Sequence, residues 1–212
     1  MECRHCQSRC IKKGIRHGSQ QYRCGTCQKK IYRYHAHTIC DRTIIQFIKE
    51  GVRIRSMSRL LRVAVNTVLR RIRKIAARVI KPPIAIGKVF EVDEMCTFIG
   101  HKSRLVWIIL ALNLSSGTVV DFYVGPRTTK SLRMVTNTLL IANPKRIYTD
   151  KLTQYTSLIP PYLHSTKRYW TNHVERMNLT LRTHLKRLNR RTLCYSRSLD
   201  MLNCSLRIYL WG

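Results

Sequence analysis

Acidic residues are scarce in this chain: ten Asp and Glu stand against forty Lys and Arg in 212 residues, a formal charge of +30. An excess this large exceeds what solubility requires, and its obvious partner is a polyanion whose counterions are released on binding. Long apolar runs are missing as well. No stretch approaches the roughly 18 consecutive apolar residues of a spanning helix, so a membrane is set aside and nucleic acid is the expected partner. Met1-Glu2-Cys3-Arg4 lacks the apolar core of a signal peptide, and a cytoplasmic location is expected. Nine cysteines in that compartment read as thiols or metal ligands, not disulfides.

The charge is unevenly spread. Residues 1–87 carry 21 Lys and Arg against three acids, and residues 88–212 carry 19 against seven. Two jobs are expected, divided at Lys81-Pro82-Pro83, where paired prolines end a helix and stiffen a linker. In the first segment Cys3-x2-Cys6 and Cys24-x2-Cys27 each set two thiolates on one metal from a tight turn. Together they complete a tetrahedral sulfur site suited to one structural Zn²⁺. The polar, Gly-containing stretch from Ile11 to Tyr22 predicts a short hairpin between the pairs. Residues 1–38 then form a zinc ribbon with too little core to fold without its metal. Cys10 is a spare thiol that could stand in for Cys6, at a spacing that fits less well. Lys12, Lys13, Arg16, Arg23, Lys29, Lys30 and Arg33, with Tyr22, Tyr32 and Tyr34 among them, suit a nucleic-acid contact or a solvated face.

Residues 39–81 turn helical. Ile44, Ile45, Phe47 and Ile48 make an apolar stripe that ends near Gly51, a short helix spans 56–61, and Asn66 is a good N-cap for a third helix to about Val79. Val68, Leu69, Ile72, Ile75, Ala76 and Val79 share one face, which leaves Arg70, Arg71, Arg73 and Lys74 largely exposed. This is the shape of a helix-turn-helix reader of DNA; a plain three-helix bundle with a charged exterior has the same pattern.

Where acids are rare, a cluster of them needs a reason. Phe90-Glu91-Val92-Asp93-Glu94 reads as a strand, with Glu91 and Asp93 on one face and Glu94 on the other. Two more runs, from Arg104 to Leu114 and from Thr118 to Val124, join through a turn at 113–117. A helix over 129–141 follows, then a short strand from Arg146 closing on Asp150, then a long helix from Asn172 to about Leu188. Val174, Met177, Leu181, Leu185 and Leu188 form its stripe toward a sheet, and Glu175 sits at the edge of that stripe with Arg182 on the same face. Three strands, a helix, a strand ending in Asp150 and a late helix carrying Glu175 have the order of a ribonuclease-H-like α/β domain, assigned to residues 82–212. Asp93, Asp150 and Glu175 occupy the places where that fold brings three carboxylates together. They are the expected catalytic and metal-binding residues, holding two Mg²⁺ or Mn²⁺ ions that activate an attacking oxygen and stabilise a leaving one at phosphorus. Glu91 is a possible auxiliary ligand, and His173 is the histidine nearest this cleft. Cys40, Cys96, Cys194 and Cys204 are read as ordinary thiols, Asp121 lies in the third strand and Asp200 in the tail.

Glu91-Val92-Asp93-Glu94-Met95, Tyr148-Thr149-Asp150, Val174-Glu175-Arg176-Met177-Asn178-Leu179 and Leu181-Arg182, with 24 residues between Asp150 and Glu175, resemble the DDE transposases of the insertion sequence one family. The resemblance runs nearly the whole length and includes the basic run from Leu185 to Leu193. Met177 departs from it, standing where the family commonly has a polar residue such as His. The resemblance implies a transposase that binds terminal inverted repeats of double-stranded DNA, nicks element ends and joins the freed 3′ hydroxyl to target DNA. Arg182, Lys186 and Arg187 would clamp phosphates, and the protein would act as a homo-oligomer associated with the nucleoid. The alternative is a DNA-binding regulator of its own element with a dead nuclease domain.

Overall fold

The computed structural model describes every residue except 4, 17, 18, 33–39, 168–170, 190 and 193, and only the backbone at 19 and 32. It divides into two compact units, Met1–Ile39 and Cys40–Gly212. Arg33, Tyr34, Arg190 and Leu193, grouped above with the basic face and the basic run, lie outside the described residues.

In the first unit β1 (Cys10–Arg16), β2 (Ser19–Cys24) and β3 (Lys30–Tyr32) form an antiparallel sheet in sequence order. The expected hairpin is present, and a third strand extends it beyond Cys27. Gly14, at φ +107°, takes up a bulge opposite β2. The core consists of Cys3, Cys10, Tyr22, Cys24 and Ile31. With three of five core side chains thiols, apolar burial alone is too small to hold this sheet.

The second unit begins with three helices, α1 (Asp41–Lys49), α2 (Ile54–Leu60) and α3 (Val65–Arg78). The third starts earlier than Asn66 predicts. Ala64 is its N-cap in extended conformation, and its carbonyl accepts from Thr67 and Val68 N–H. Ile44, Ile48, Met57, Val68, Ile72, Ile75 and Ala76 are buried. Next come β4 (Val89–Phe98), β5 (Leu105–Asn113), β6 (Thr118–Gly125), α4 (Thr129–Ile141), β7 (Arg146–Tyr148), β8 (His164–Ser165), α5 (Asn172–His184) and α6 (Leu199–Trp211). One five-stranded sheet results, in the order β6-β5-β4-β7-β8, with β4, β5 and β6 antiparallel and β7 and β8 parallel to β4. The fold is a mixed α/β one, and its elements follow the chain order expected from the sequence: three strands, a helix, a short strand and a late helix.

The sheet separates two cores. Phe90, Val92, Ile109 and Ala111 face α4 and Tyr155, while Met95, Ile108, Leu110 and Leu112 face α5 and α6. Such a strand is buried on both sides, so its polar residues stand out by position, not by alternation of hydropathy. α5 stops at His184, short of Leu188, and a 3-10 turn over Lys186–Leu188 continues it. The stop coincides with Gly51, at φ +64°, where an added Cβ would lie 2.1 Å from the His184 carbonyl oxygen. The α1–α2 turn thus presses backbone on backbone against the end of α5. The tail that carries Asp200, to which the sequence assigned no element, is α6, capped by the Ser198 side chain accepting from Met201 N–H. α1 and α3 pack on it, and Arg73 reaches Asp200 at 2.7 Å.

Candidate active site

Soft ligands gather in the first unit. Cys3 Sγ lies 3.5 Å from Cys27 Sγ, Cys6 Sγ lies 3.4 Å from Cys24 Sγ, and all four sulfurs fall within 4.8 Å of one another. Four sulfurs about 2.3 Å from a central Zn²⁺ would be separated by about 3.8 Å, so the cluster fits the ion. The four thiols titrate together: hydrogen bonds from Ser8 lower Cys6 to about 6, while burial and the other three thiols raise Cys27 to about 12, a mutual crowding that a shared cation would relieve. Cys10 is buried beside the cluster and is not one of the four.

Hard ligands gather at the middle of β4 and just beyond the C-terminal end of β7. These strands pair in parallel with Glu91 opposite Tyr148, which brings Asp93 and Asp150, two residues further along each chain, to the same level. Burial lifts the Asp93 carboxyl to about 6, with the negative charges of Glu94 and Asp150 adding to the rise. Asn178 of α5 donates its Nδ2–H to Asp93 Oδ2 at 2.7 Å. Asp150 Oδ1 accepts the Leu152 backbone N–H at 3.0 Å. Asp150 and Glu175 line one cleft of about 560 Å³ with Lys151, Lys167 and Thr171. Glu175 is exposed there and accepts from the Thr171 hydroxyl at 2.9 Å.

α5 joins these pieces. Glu175 and Asn178 are three residues apart and therefore on one face of the helix, so one turn reaches the Asp150 cleft and the next reaches Asp93. The three carboxylates share no single point: among the described residues, the four cysteines alone meet as three or more ligand atoms within 4.8 Å. The donor set fits a hard divalent cation. It consists of carboxylate oxygens, one of them with its proton affinity raised by burial and then by the neighbouring negative charges, a charge density that a cation would relieve. Beside it the buried Asn178 Oδ1, without a partner among the described residues, is available to accept from a bound water.

Two acids of the β4 cluster do other work. Glu91, expected as an auxiliary ligand, is fully buried and accepts the Val174 backbone N–H at 2.8 Å and His173 Nδ1–H at 2.7 Å. It satisfies an orphan donor in the first turn of α5 and offsets the helix dipole there, which fixes the helix that carries Glu175. Glu94, on the other face, has a side chain only 1 % exposed. It accepts from the Tyr155 hydroxyl and from Arg127 Nη2 at 2.8 Å, and Arg127 also stands 3.9 Å from Asp150 Oδ2 and 4.5 Å from the centre of the Trp107 ring.

The basic residues divide in the same way. Arg70 and Lys74 project from α3 into solvent. Arg71 instead binds Asp41 of α1 at 2.6 Å, and Arg73 binds Asp200 of α6. Arg182 and Lys186 line an open cleft. Arg187 turns inward and donates to Ser205 Oγ at 3.0 Å, and burial lowers its pKa. Asn178, Arg127 and Tyr155 were not singled out from the sequence. The Asn178 spacing from Glu175 was readable there, whereas Arg127 and Tyr155 reach Glu94 only through the fold.

Comparison with known proteins bears on what this arrangement does. A sequence profile described as IS1 transposase matches residues 87–211. The insertion element iso-IS1n protein InsB of Shigella dysenteriae is 37% identical over 113 residues, 53% of this chain and 86% of that protein. The insertion element IS1 protein InsB of Shigella flexneri is 33% identical over 120 residues, 57% of this chain and 92% of that protein. The HTLV-2 integrase catalytic core domain, solved in complex with magnesium, gives a TM-score of 0.38 and 18% identity over 60% of this chain and 86% of that one.

Proposed function

Because the chain belongs to the IS1 transposase family, we propose that it binds the terminal inverted repeats of an insertion sequence and catalyses DNA strand cleavage and strand transfer. Asp93, Asp150 and Glu175 are the residues assigned to hold two Mg²⁺ or Mn²⁺ ions. Bound there, such ions supply activation of the attacking oxygen and stabilisation of the leaving one in an in-line displacement at phosphorus. The observation that carries the reading is the parallel pairing of β4 with β7, supporting Asp93 beside Asp150, with Glu175 on the wall of the Asp150 cleft.

Each protein group has a definable part. Asn178 orients the Asp93 carboxylate, Glu91 sets the start of α5, and Glu94 with Tyr155 holds Arg127 beside Asp150, where its charge balances crowded carboxylates and an incoming phosphate. The four cysteines hold one Zn²⁺ in a ribbon over residues 1–38, and residues 39–81 act as a helix-turn-helix module whose Arg70 and Lys74 meet DNA. Two element ends must be handled together, so the working form is a homo-oligomer on DNA, acting in the cytoplasm on the nucleoid.

The test is incubation of purified protein with Mg²⁺ and a duplex spanning the junction of element end and flanking DNA. The wild type should release a 3′ hydroxyl at the element end and join it to a second duplex. Asp93→Asn and Glu175→Gln should each lower cleavage by about 10³-fold or more while leaving DNA binding intact. Equal cleavage by Asp93→Asn would overturn the assignment, and a wild type that binds ends without ever cutting would leave the regulator reading.

A further inference from the structure

One cation beside the carboxylates is held in place from several sides. Arg127 follows β6 two residues past Gly125, and Gly125 is the register partner of Trp107 on β5. The side chain doubles back over that ring, with the guanidinium carbon 4.5 Å from its centre. Nε and Nη2 both donate to Oε2 of Glu94, at 3.2 and 2.8 Å. The other Glu94 oxygen accepts from the hydroxyl of Tyr155, a fully buried residue. With a phenol on one oxygen and a guanidinium on the other, this carboxylate is fixed, and it fixes the arginine in turn.

The anchor decides what Arg127 does to Asp150. Its Nη2 stands 3.9 Å from Asp150 Oδ2, too far for a hydrogen bond and near enough for charge. A guanidinium pinned by Glu94 and Trp107 does not close that gap, so it acts on Asp150 as a positive charge at a set distance. A divalent ion on Oδ2, at about 2.1 Å, would lie no more than about 6 Å from Nη2. At that distance charges of one and two repel enough to weaken ion binding about tenfold, even at the dielectric of water. Lys151 and Lys167 line the same cleft, but both are exposed and ride on flexible stems where water and salt screen them.

The charges then favour DNA. An ionised Glu94 cancels Arg127, which leaves Asp93, Asp150 and Glu175 to face two divalent ions. Three negative charges fall one short of four positive ones, and a single phosphodiester makes up the difference. Were the arginine uncharged, Glu94 would supply the fourth negative charge and the ions would need no DNA.

We propose that Arg127 makes metal loading depend on DNA: its fixed charge holds divalent cations off Asp150 in the free protein, and the phosphate of an element end relieves that repulsion. This role rests on the transposase reading above and adds the regulation of its site. By reciprocity, metal and DNA each tighten binding of the other by the same factor.

The test reads free Mn²⁺ by electron paramagnetic resonance as the ion is titrated into full-length zinc-loaded protein at pH 7.5. Titrations run with and without a duplex covering the element's own end, at 4 °C, with Mn²⁺ held by the duplex alone subtracted and cleavage checked on a gel. In the wild type the duplex should tighten Mn²⁺ binding about tenfold or more. Arg127→Gln keeps a donor for the buried Glu94 and loses the charge. It should bind Mn²⁺ about tenfold more tightly than the wild type without DNA and gain little from the duplex. Arg127→Lys keeps the charge and should behave as the wild type does. A methylphosphonate at the scissile position removes one negative charge and should abolish the tightening in the wild type. Equal Mn²⁺ affinity of Arg127→Gln and wild type without DNA would overturn the role, and so would weaker binding, the mark of an arginine that only supports the fold. Equal tightening in the Gln and Lys variants would overturn it as well, because charge would not be the cause. Asp93→Asn separates this role from the carboxylate assignment. Loss of Mn²⁺ binding in that variant keeps the assignment whatever Arg127 does, and wild-type binding removes it.

Discussion

The two ligand clusters of this protein differ in how they are assembled. The four cysteines come from 25 residues of chain and already lie within 4.8 Å of one another. Asp93, Asp150 and Glu175 come from β4, the end of β7 and α5, and stand around a cleft without meeting at a point. The first cluster is local and makes the fold of its unit; the second is the product of a fold that other forces hold together. A metal held by the cysteines would therefore be structural, and one held at the carboxylates would be a reactant's companion.

The sharpest way to break the comparison is Cys24→Ser. Structural Zn²⁺ binding is worth about 10–16 kcal/mol in comparable small units. The substitution should drop zinc content from about one per chain to near zero by atomic absorption and unfold Met1–Ile39 by amide spectra, while the signals of the second unit persist.

Asp93→Asn should show the opposite behaviour, a lost reaction in a sturdier protein. The folded carboxyl titrates at about 6, above the roughly 3.9 of an unfolded chain. Folding therefore favours the protonated form, and stability falls as pH rises from about 4 to about 6. In Mg²⁺-free buffer at pH 7.5 the variant should melt about 2–6 °C above the wild type, with the gain vanishing near pH 4. A variant less stable than wild type at pH 7.5 would contradict the crowding of charge at this site.

Asn178→Ala should cost about 10–100-fold in cleavage and raise the Mg²⁺ needed for half-maximal rate, since the residue orients the Asp93 carboxylate. Asn178→Asp should not rescue it, because a fourth negative charge replaces the donor. The smallest effect should come from Arg73→Ala. Its ion pair with Asp200 is about half exposed on both sides and is expected to be worth less than about 1 kcal/mol, a shift of no more than a few degrees in melting temperature.

The same contrast explains what could be read from the sequence. The cysteine spacing is a local signal and names its ligands directly. The β4, β5 and β6 strands and α4 were legible because apolar runs bounded by turns are local too, and α4 occupies the expected residues. The roles of Glu91 and Glu94 were not. Alternation assigns each to a face, but whether a carboxylate meets a helix N-terminus or a phenol depends on which element the topology brings there. α6 was hidden in a tail of mixed polarity, although Ser198 before Asp200 and the Leu202–Leu206 pair carry a capping and packing signal. Arg71, Arg73 and Arg187 illustrate the other limit. Helical periodicity shows which residues face outward from their own helix, and neighbouring α1 and α6 then claim them.

The central claim is that Asp93, Asp150 and Glu175 close on catalytic cations when DNA is present. Anomalous diffraction at the manganese edge, from crystals of the protein with Mn²⁺ and element-end DNA, tests it most directly. The account predicts two manganese peaks about 4 Å apart among these three carboxylates, with Glu175 turned from Thr171 toward the metal. Manganese bound elsewhere, or a Glu175 side chain still on Thr171 beside a filled site, would contradict it.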